Sequence, residues 1–270
     1  MSMSKEKPKF AQQLSDFANS LQKGISLENG QWSIKGFVDV FKNVYTLSSD
    51  TKIISKILEI HLFPRIVEFA EKCGYNVVLA EHQNHYPDIS FVKKDNSKVC
   101  FAIDYKTSYR KVDNSEYCNG FTLGSHGEYF TNRNSSKNIR FPYSSYCGHF
   151  CLGIIYDRTP LKIDETKIYS IDKLKSIQSV ASNFLFFATE KWKIASDKSG
   201  SGNTANIGSI TNIEDILNAK GVFSKLGEKW FDDYWMNYRK ITLNNGIKIS
   251  NLEDFVKYRG GNLSKIVAKR

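Results

Sequence analysis

A chain of 270 residues with 41% hydrophobic and 24% charged residues, 17 glycines and 5 prolines has the make-up of an ordinary globular protein with a core to bury. No collagen-like, heptad or longer repeat runs through it, which excludes fibrous, solenoid and low-complexity classes. Lysine and arginine number 38 against 28 acidic residues, and the formal charge of +10 favours a polyanionic partner, nucleic acid first, although such a balance also serves solubility alone.

The longest stretch without formal charge, 141–156, is broken by Pro142, Ser144, Ser145, Gly148 and His149 and makes a poor membrane span. The opening MSMSKEKPKF has charge with no apolar core behind it, so a secretory leader is not supported and the expected location is the cytoplasm, with no membrane partner. Cys73, Cys100, Cys118, Cys147 and Cys151 contain no C-x-x-C pair, and reduced thiols are expected. Cys147, His149 and Cys151 have metal-ligand side chains, but they lead into an apolar run where small cysteines pack well.

Along the chain, Leu14, Phe17, Ala18 and Leu21 recur at helical spacing from Phe10 and stop at Gly24, which predicts a first amphipathic helix. Ser48, Ser49 and Asp50 supply N-cap candidates for a second helix carrying Ile53, Ile54, Ile57, Leu58 and Leu62, with Pro64 expected to kink or restart it. Its continuation closes on Cys73-Gly74, and a strand is expected over 75–80. Residues 89–92 and 99–103 are β-rich segments separated by the polar run 93–98, and read as a hairpin. Residues 151–156 and 184–188 read as buried strands, and 163–177 and 213–217 as weaker helices. Gly, Ser, Asn and Thr between Trp192 and Ile213 mark an exposed loop or tight connection, followed by an aromatic, basic region from Trp230 onward. Mixed strands and helices without a clean linker predict an α/β (mixed α+β) architecture, one domain over 1–270.

Centring the hairpin turn on Asn96 brings Asp88 opposite Asp104. Directly opposed residues of an antiparallel pair lie about 4.5 to 5.5 Å apart, where like charges destabilise the sheet unless something, such as a divalent cation, neutralises them. Strand period two puts Lys106 on the face of Asp104 and Tyr105 on the other. Two carboxylates and an ammonium in one patch suit metal-dependent phosphodiester chemistry, in which hard oxygens hold Mg2+ and the cation polarises a phosphoryl oxygen. Lys106 would face the attacking water or the scissile phosphate, and accepting a proton would require a depressed pKa. The plainer reading is that D…D-x-K is a common spacing whose charges line a solvated strand face. Glu59, among Leu58, Ile60 and Leu62, reads by itself as the solvent-facing position of a helix.

The run Gly200-Ser201-Gly202-Asn203-Thr204-Ala205-Asn206 lacks side-chain bulk and can approach DNA base edges, where Asn pairs with adenine and Thr touches a thymine methyl; its plainer reading is a surface loop. No Gly-Lys-Ser/Thr follows it, so it is not a phosphate-cradling loop.

QNHYPD at 83–88, AIDYKT at 102–107 and GSGNTANIGSI at 200–210 together resemble, in the same order, the EcoRV-type family of type II restriction endonucleases in the PD-(D/E)xK superfamily. SSDTK at 48–52, FTLG at 121–124, SKNIRFP at 136–142, EKW at 190–192 and DYWMNY at 233–238 extend the likeness over about 47–260. The resemblance implies a central mixed β-sheet flanked by helices in a U-shaped homodimer, with a small dimerisation subregion near 31–48. It further implies a Mg2+-dependent phosphodiesterase that cuts both strands of a palindromic double-stranded DNA site, GATATC with blunt ends in the family's type member. Asp88, Asp104 and Lys106 match its catalytic positions, and Glu59 a helix acid that assists Asp88 and Asp104 in metal binding or couples the halves of the dimer. Gly200, Ser201, Gly202, Asn203, Thr204 and Asn206 match its major-groove recognition loop, Gln83 and Asn84 a minor-groove loop, and Thr51 and Lys52 further DNA contacts. A twofold protein on a twofold site is the implied geometry, with a cognate methyltransferase protecting the cell's own DNA.

The sequence departs from the pattern at Ala205, where the family has a second threonine, at Tyr105, where it has a smaller aliphatic residue, and at Met236, where it has an arginine. The segment 125–135 is longer than its counterpart, and nothing is transferred to it. Two other classes compete: a repair or junction-resolving nuclease reading DNA shape, and a silent DNA-binding protein, which would not need an intact Asp88, Asp104 and Lys106 set.

Overall fold

The polar residues ahead of the first apolar repeat are already helical: α1 spans Met3–Ser20 and so starts before the apolar spacing does. Its early turns are tied down by charge, because Glu6 is buried against Lys93 at 2.6 Å. The structure, a computed structural model, describes residues 3–82, 84–159, 164–200, 205–243 and 246–268, with residues 3 and 4 as backbone only. Two short strands, β1 (Gly36–Val38) and β2 (Asn43–Thr46), precede the long helix α2 (Thr51–Cys73). Asp50 caps α2 by accepting from the N–H groups of Lys52 and Ile53, and Gly74, at φ 79°, ends it in the left-handed region. The expected restart at Pro64 does not occur. The carbonyl that loses its donor belongs to Ile60, which is 64% exposed, so solvent can satisfy it.

There follow β3 (Tyr75–Leu79), β4 (Ile89–Lys93), β5 (Cys100–Tyr109), β6 (Thr122–Ser125), the single turn α3 (Glu128–Thr131), β7 (Gly148–Arg158), β8 (Ile168–Ser170), β9 (Ala181–Glu190), β10 (Ala195–Ser199) and β11 (Asn206–Ser209). Helices α4 (Ile213–Leu217), α5 (Glu228–Asn237) and α6 (Leu252–Tyr258) complete the described elements. The main sheet has the order β3-β4-β5-β7-β9, antiparallel except for the parallel pair β5 and β7. Ile89 pairs with Ile103 and Phe91 with Phe101, the register of a hairpin centred on Asn96, so Asp88 and Asp104 meet at its open end.

The main sheet is covered on both faces. Phe101, Ile103 and Tyr105 of β5 join Phe10 of α1 and Leu58 and Leu62 of α2 in one core, where Phe10 stacks on Phe101 at 4.1 Å and 7°. Cys100 and Ala102, of the opposite parity, join a second core with Phe130, Phe187 and the α5 and α6 residues Trp235 and Phe255. Asp104 and Lys106 share the parity of this second side, which frays into a cleft.

Two short sheets correct the sequence expectations. The helix expected over 163–177 is instead β8 followed by a 3-10 turn at Ile171–Ser176, with 163 itself outside the described residues. The edge of β2 offers backbone partners there, pairing Val44 with Tyr169, and Ile168 and Ile171 find no core for a helical face to bury. The exposed loop expected between Trp192 and Ile213 contains β10 and β11, which form a sheet in the order β10-β11-β6 with Ile194, Ala195 and Ile207 fully buried. Close backbone approach explains its composition: a Cβ on Gly208 would stand 2.6 Å from the Lys198 carbonyl oxygen. No helix among the described residues is long and apolar enough to cross a membrane.

Candidate active site

A cleft of about 1670 Å³ runs between the start of α2, the segment before β4, the outer half of β5, and the sheet of β6, β10 and β11. At its floor Asp88 and Asp104 are bound to each other's strands. Asp88 Oδ2 accepts from the Tyr105 N–H at 2.8 Å, and Asp104 Oδ1 accepts from the Asp88 N–H at 3.3 Å. Lys106 Nζ lies 3.1 Å from Asp104 Oδ2. The carboxylates are thus placed by main-chain groups of a paired sheet, which fixes their separation more firmly than flexible side chains would.

Burial and then the Asp104 charge push the Asp88 carboxyl up to about 6, against the opposing pull of Lys106 and the Tyr105 N–H. Burial lowers Lys106, but the carboxylates of Asp104 and Asp88 outweigh it and hold the ammonium above the ordinary lysine value. In the metal-free protein the two carboxylates thus favour Lys106 as a cation and hydrogen-bond donor.

Glu59 lines the same cleft, with its carboxylate bonded to Lys56 Nζ at 2.7 Å. Among the described residues no three His, Cys, Asp or Glu side chains gather into a metal-holding cluster. Asp88 and Asp104 come together, and Glu59 stands apart with Lys56. Thr51, Lys52, Asn84, Gly200 and Asn206 all line the cleft, whereas Gln83, Ser201, Gly202, Asn203 and Thr204 lie outside the described residues. The base of the 200–206 run is held on two sides. Gly200 N–H donates to Asn206 O at 2.8 Å, and His126 N–H donates to Ala205 O at 2.9 Å.

Several cleft residues escaped the sequence reading. Ser125, Glu128, Lys137 and Asn138 line it, from the lengthened segment and the SKNIRFP stretch. The motif SKNIRFP carried a signal for Lys137, but 125–135 had none. Met236 is partly buried against the second core, so its thioether serves packing. His149, between Cys147 and Cys151, is buried, stacked on Tyr143 at 3.7 Å and within 2.9 Å of the Tyr86 hydroxyl.

A model of the family described as restriction endonuclease EcoRV matches residues 28–260. The type II restriction enzyme EcoRV of Escherichia coli is 36% identical over 249 residues, covering 91% of this chain and 98% of that enzyme. The mixed sheet and these matches together define a restriction endonuclease, a site-specific deoxyribonuclease whose substrate is DNA. More particularly, the chain belongs to the EcoRV restriction endonuclease family.

Proposed function

We propose that this endonuclease cuts both strands of the palindrome GATATC at its centre, leaving blunt ends, with Mg2+ held by Asp88 and Asp104 and assisted by Glu59. The observation that carries this reading is convergence: every described candidate, from four separate stretches of chain, lines the one cleft. The dyad fits a hard divalent cation, since two adjacent carboxylates with Asp88 raised to about 6 carry more negative charge than Lys106 alone relieves. When bound, the cation supplies Lewis acidity at the scissile phosphate and acidifies a water. Lys106 steadies charge on the phosphate beside it, and the Tyr105 N–H keeps Asp88 oriented. Thr51 and Lys52, at the start of α2, grip the DNA backbone, Asn84 with Gln83 reaches the minor groove, and Gly200, Ser201, Gly202, Asn203, Thr204 and Asn206 read major-groove edges.

The working form is a homodimer. Phe37, Val40 and Phe41 are 57%, 89% and 80% exposed on and beside β1 and β2, within 31–48, an apolar tip suited to a second copy of the chain. One domain per protomer suits two cores that share the main sheet. In the cytoplasm, a methyltransferase of the same specificity would guard the cell's own sites.

The deciding experiment is digestion of a plasmid with a single GATATC by the protein with Mg2+, followed by sequencing of the ends. One blunt central cut is expected, and cutting elsewhere would discard the specificity. Asp104→Ala and Lys106→Ala should each slow cleavage by roughly 10³-fold or more while site binding in Ca2+ persists. Full activity in either would remove that residue from the reaction.

A further inference from the structure

Behind the carboxylate pair lies a buried lysine for which the reaction described above has no use. Lys191 is 3% exposed, and its Nζ lies 4.6 Å from the ring centre of Tyr86, 4.9 Å from Tyr143 and 5.5 Å from Phe130. Its hydrogen-bonding side-chain partner among the described residues is the Tyr86 hydroxyl, at 3.4 Å. Burial draws this ammonium down to about 8, with Asp104 pulling the other way. Three aromatic faces compensate part of that loss of hydration.

A lysine ammonium only donates, so the Tyr86 oxygen accepts from it, and the same hydroxyl is hydrogen-bonded to His149 Nδ1 at 2.9 Å. Tyr86 is held at every other point too. Its ring stacks on Tyr129 at 5.1 Å and 7°, its N–H donates to Asn138 O at 3.0 Å, and its carbonyl accepts from Arg140 N–H at 2.8 Å. Gly124, at φ +97°, closes the enclosure, since a Cβ there would stand 3.3 Å from the Tyr129 hydroxyl oxygen and 3.9 Å from Lys191 Nζ. Asp88 follows Tyr86 by two residues.

A packing role alone would be met by methionine or leucine, which fill similar space without a buried charge to desolvate. We infer that Lys191 is a positioning residue for cleavage: through the Tyr86 hydroxyl it fixes the Tyr86-Pro87-Asp88 corner, and with it the Asp88 carboxylate against Asp104. This rests on the proposed reading of Asp88 and Asp104 as the reaction centre.

The test compares Lys191→Met, Tyr86→Phe and the double variant for kcat, for KM on plasmid DNA and for Tm, with Asp104→Ala alongside. Each single variant should lose about ten- to a hundredfold in kcat with KM unchanged, because a carboxylate displaced by less than a bond length is enough to do so. Lys191→Met should hold or raise Tm, a result that a merely structural role would not give. The double variant should be no slower than the slower single, since both changes cut one link. Full kcat in Lys191→Met, multiplying losses in the double variant, or a loss that tracks a fallen Tm would each overturn the inference. Should Lys191→Met fail to fold, full kcat in Tyr86→Phe overturns it alone. If Asp104→Ala cuts at full rate, the reaction-centre reading falls and this inference with it; if Asp104→Ala is inactive and the other variants are unimpaired, only the inference falls.

Discussion

The two faces of β5 set opposite chemistries back to back. On one, Phe101 and Ile103 press against Phe10 and α2 in an aromatic and aliphatic core. On the other, Asp104 and Lys106 stand at an open cleft beside a polar network of Tyr86, His149 and Lys191. Strand alternation lets one segment do both: every second residue holds the sheet in place so that the residues between can be kept in an arrangement unfavourable to folding. Like charges facing each other at the end of a strand pair would drive a free hairpin open, and the apolar face supplies what keeps it shut.

The comparison can be broken or sharpened by substitution on either face. Phe101→Ala should destabilise the protein by about 3 to 5 kcal/mol in denaturant unfolding, because a ring stacked on Phe10 leaves a cavity. A loss below about 1 kcal/mol would show that this face is not the close-packed one. On the cleft side the sign reverses. Asp88 rises from its ordinary 3.8 to about 6, so between those pH values the folded metal-free protein binds a proton that the unfolded chain releases. Stability therefore falls as pH rises through that window. Asp88→Asn, which keeps an oxygen for the Tyr105 N–H, should abolish the fall and be more stable in EDTA above pH 6, by roughly 1 to 3 kcal/mol. Parallel Tm-against-pH curves for the two proteins would remove burial strain from the site. The smallest effect concerns Tyr105, whose buried hydroxyl has no hydrogen-bond partner among the described residues. Tyr105→Phe should gain about 1 kcal/mol in thermal unfolding, and a loss would show that the hydroxyl is satisfied after all.

The main hairpin was legible because its information is local. Alternation in 89–92 and 99–103 and a polar turn between them set the register, and the register sets Asp88 against Asp104. Strands β10 and β11 were not legible, since Ser, Gly and Asn pair through backbone and show no apolar alternation. The helix expected over 163–177 failed for a related reason: Ile168 and Ile171 face outward, and what decides the conformation there is the edge of β2. Lys191, between Glu190 and Trp192, looks like a surface residue in the sequence, and only the convergence of Tyr86, Phe130 and Tyr143 shows it to be enclosed. Gln83 rests on the family resemblance, and Ser201, Gly202, Asn203 and Thr204 on that resemblance together with the small and polar composition of their run.

The parallel pairing of β5 with β7 orders events during folding. β4 and β5 close across residues 94–99, a short loop whose ends meet readily, whereas β5 must wait for residues 110–147 before β7 can lie beside it. That same excursion carries β6, the partner of β11, so the cleft wall of β6, β10 and β11 assembles only after distant stretches of chain have found one another. A half-made chain emerging from the ribosome would therefore hold its paired acids before the opposite wall of their cleft exists.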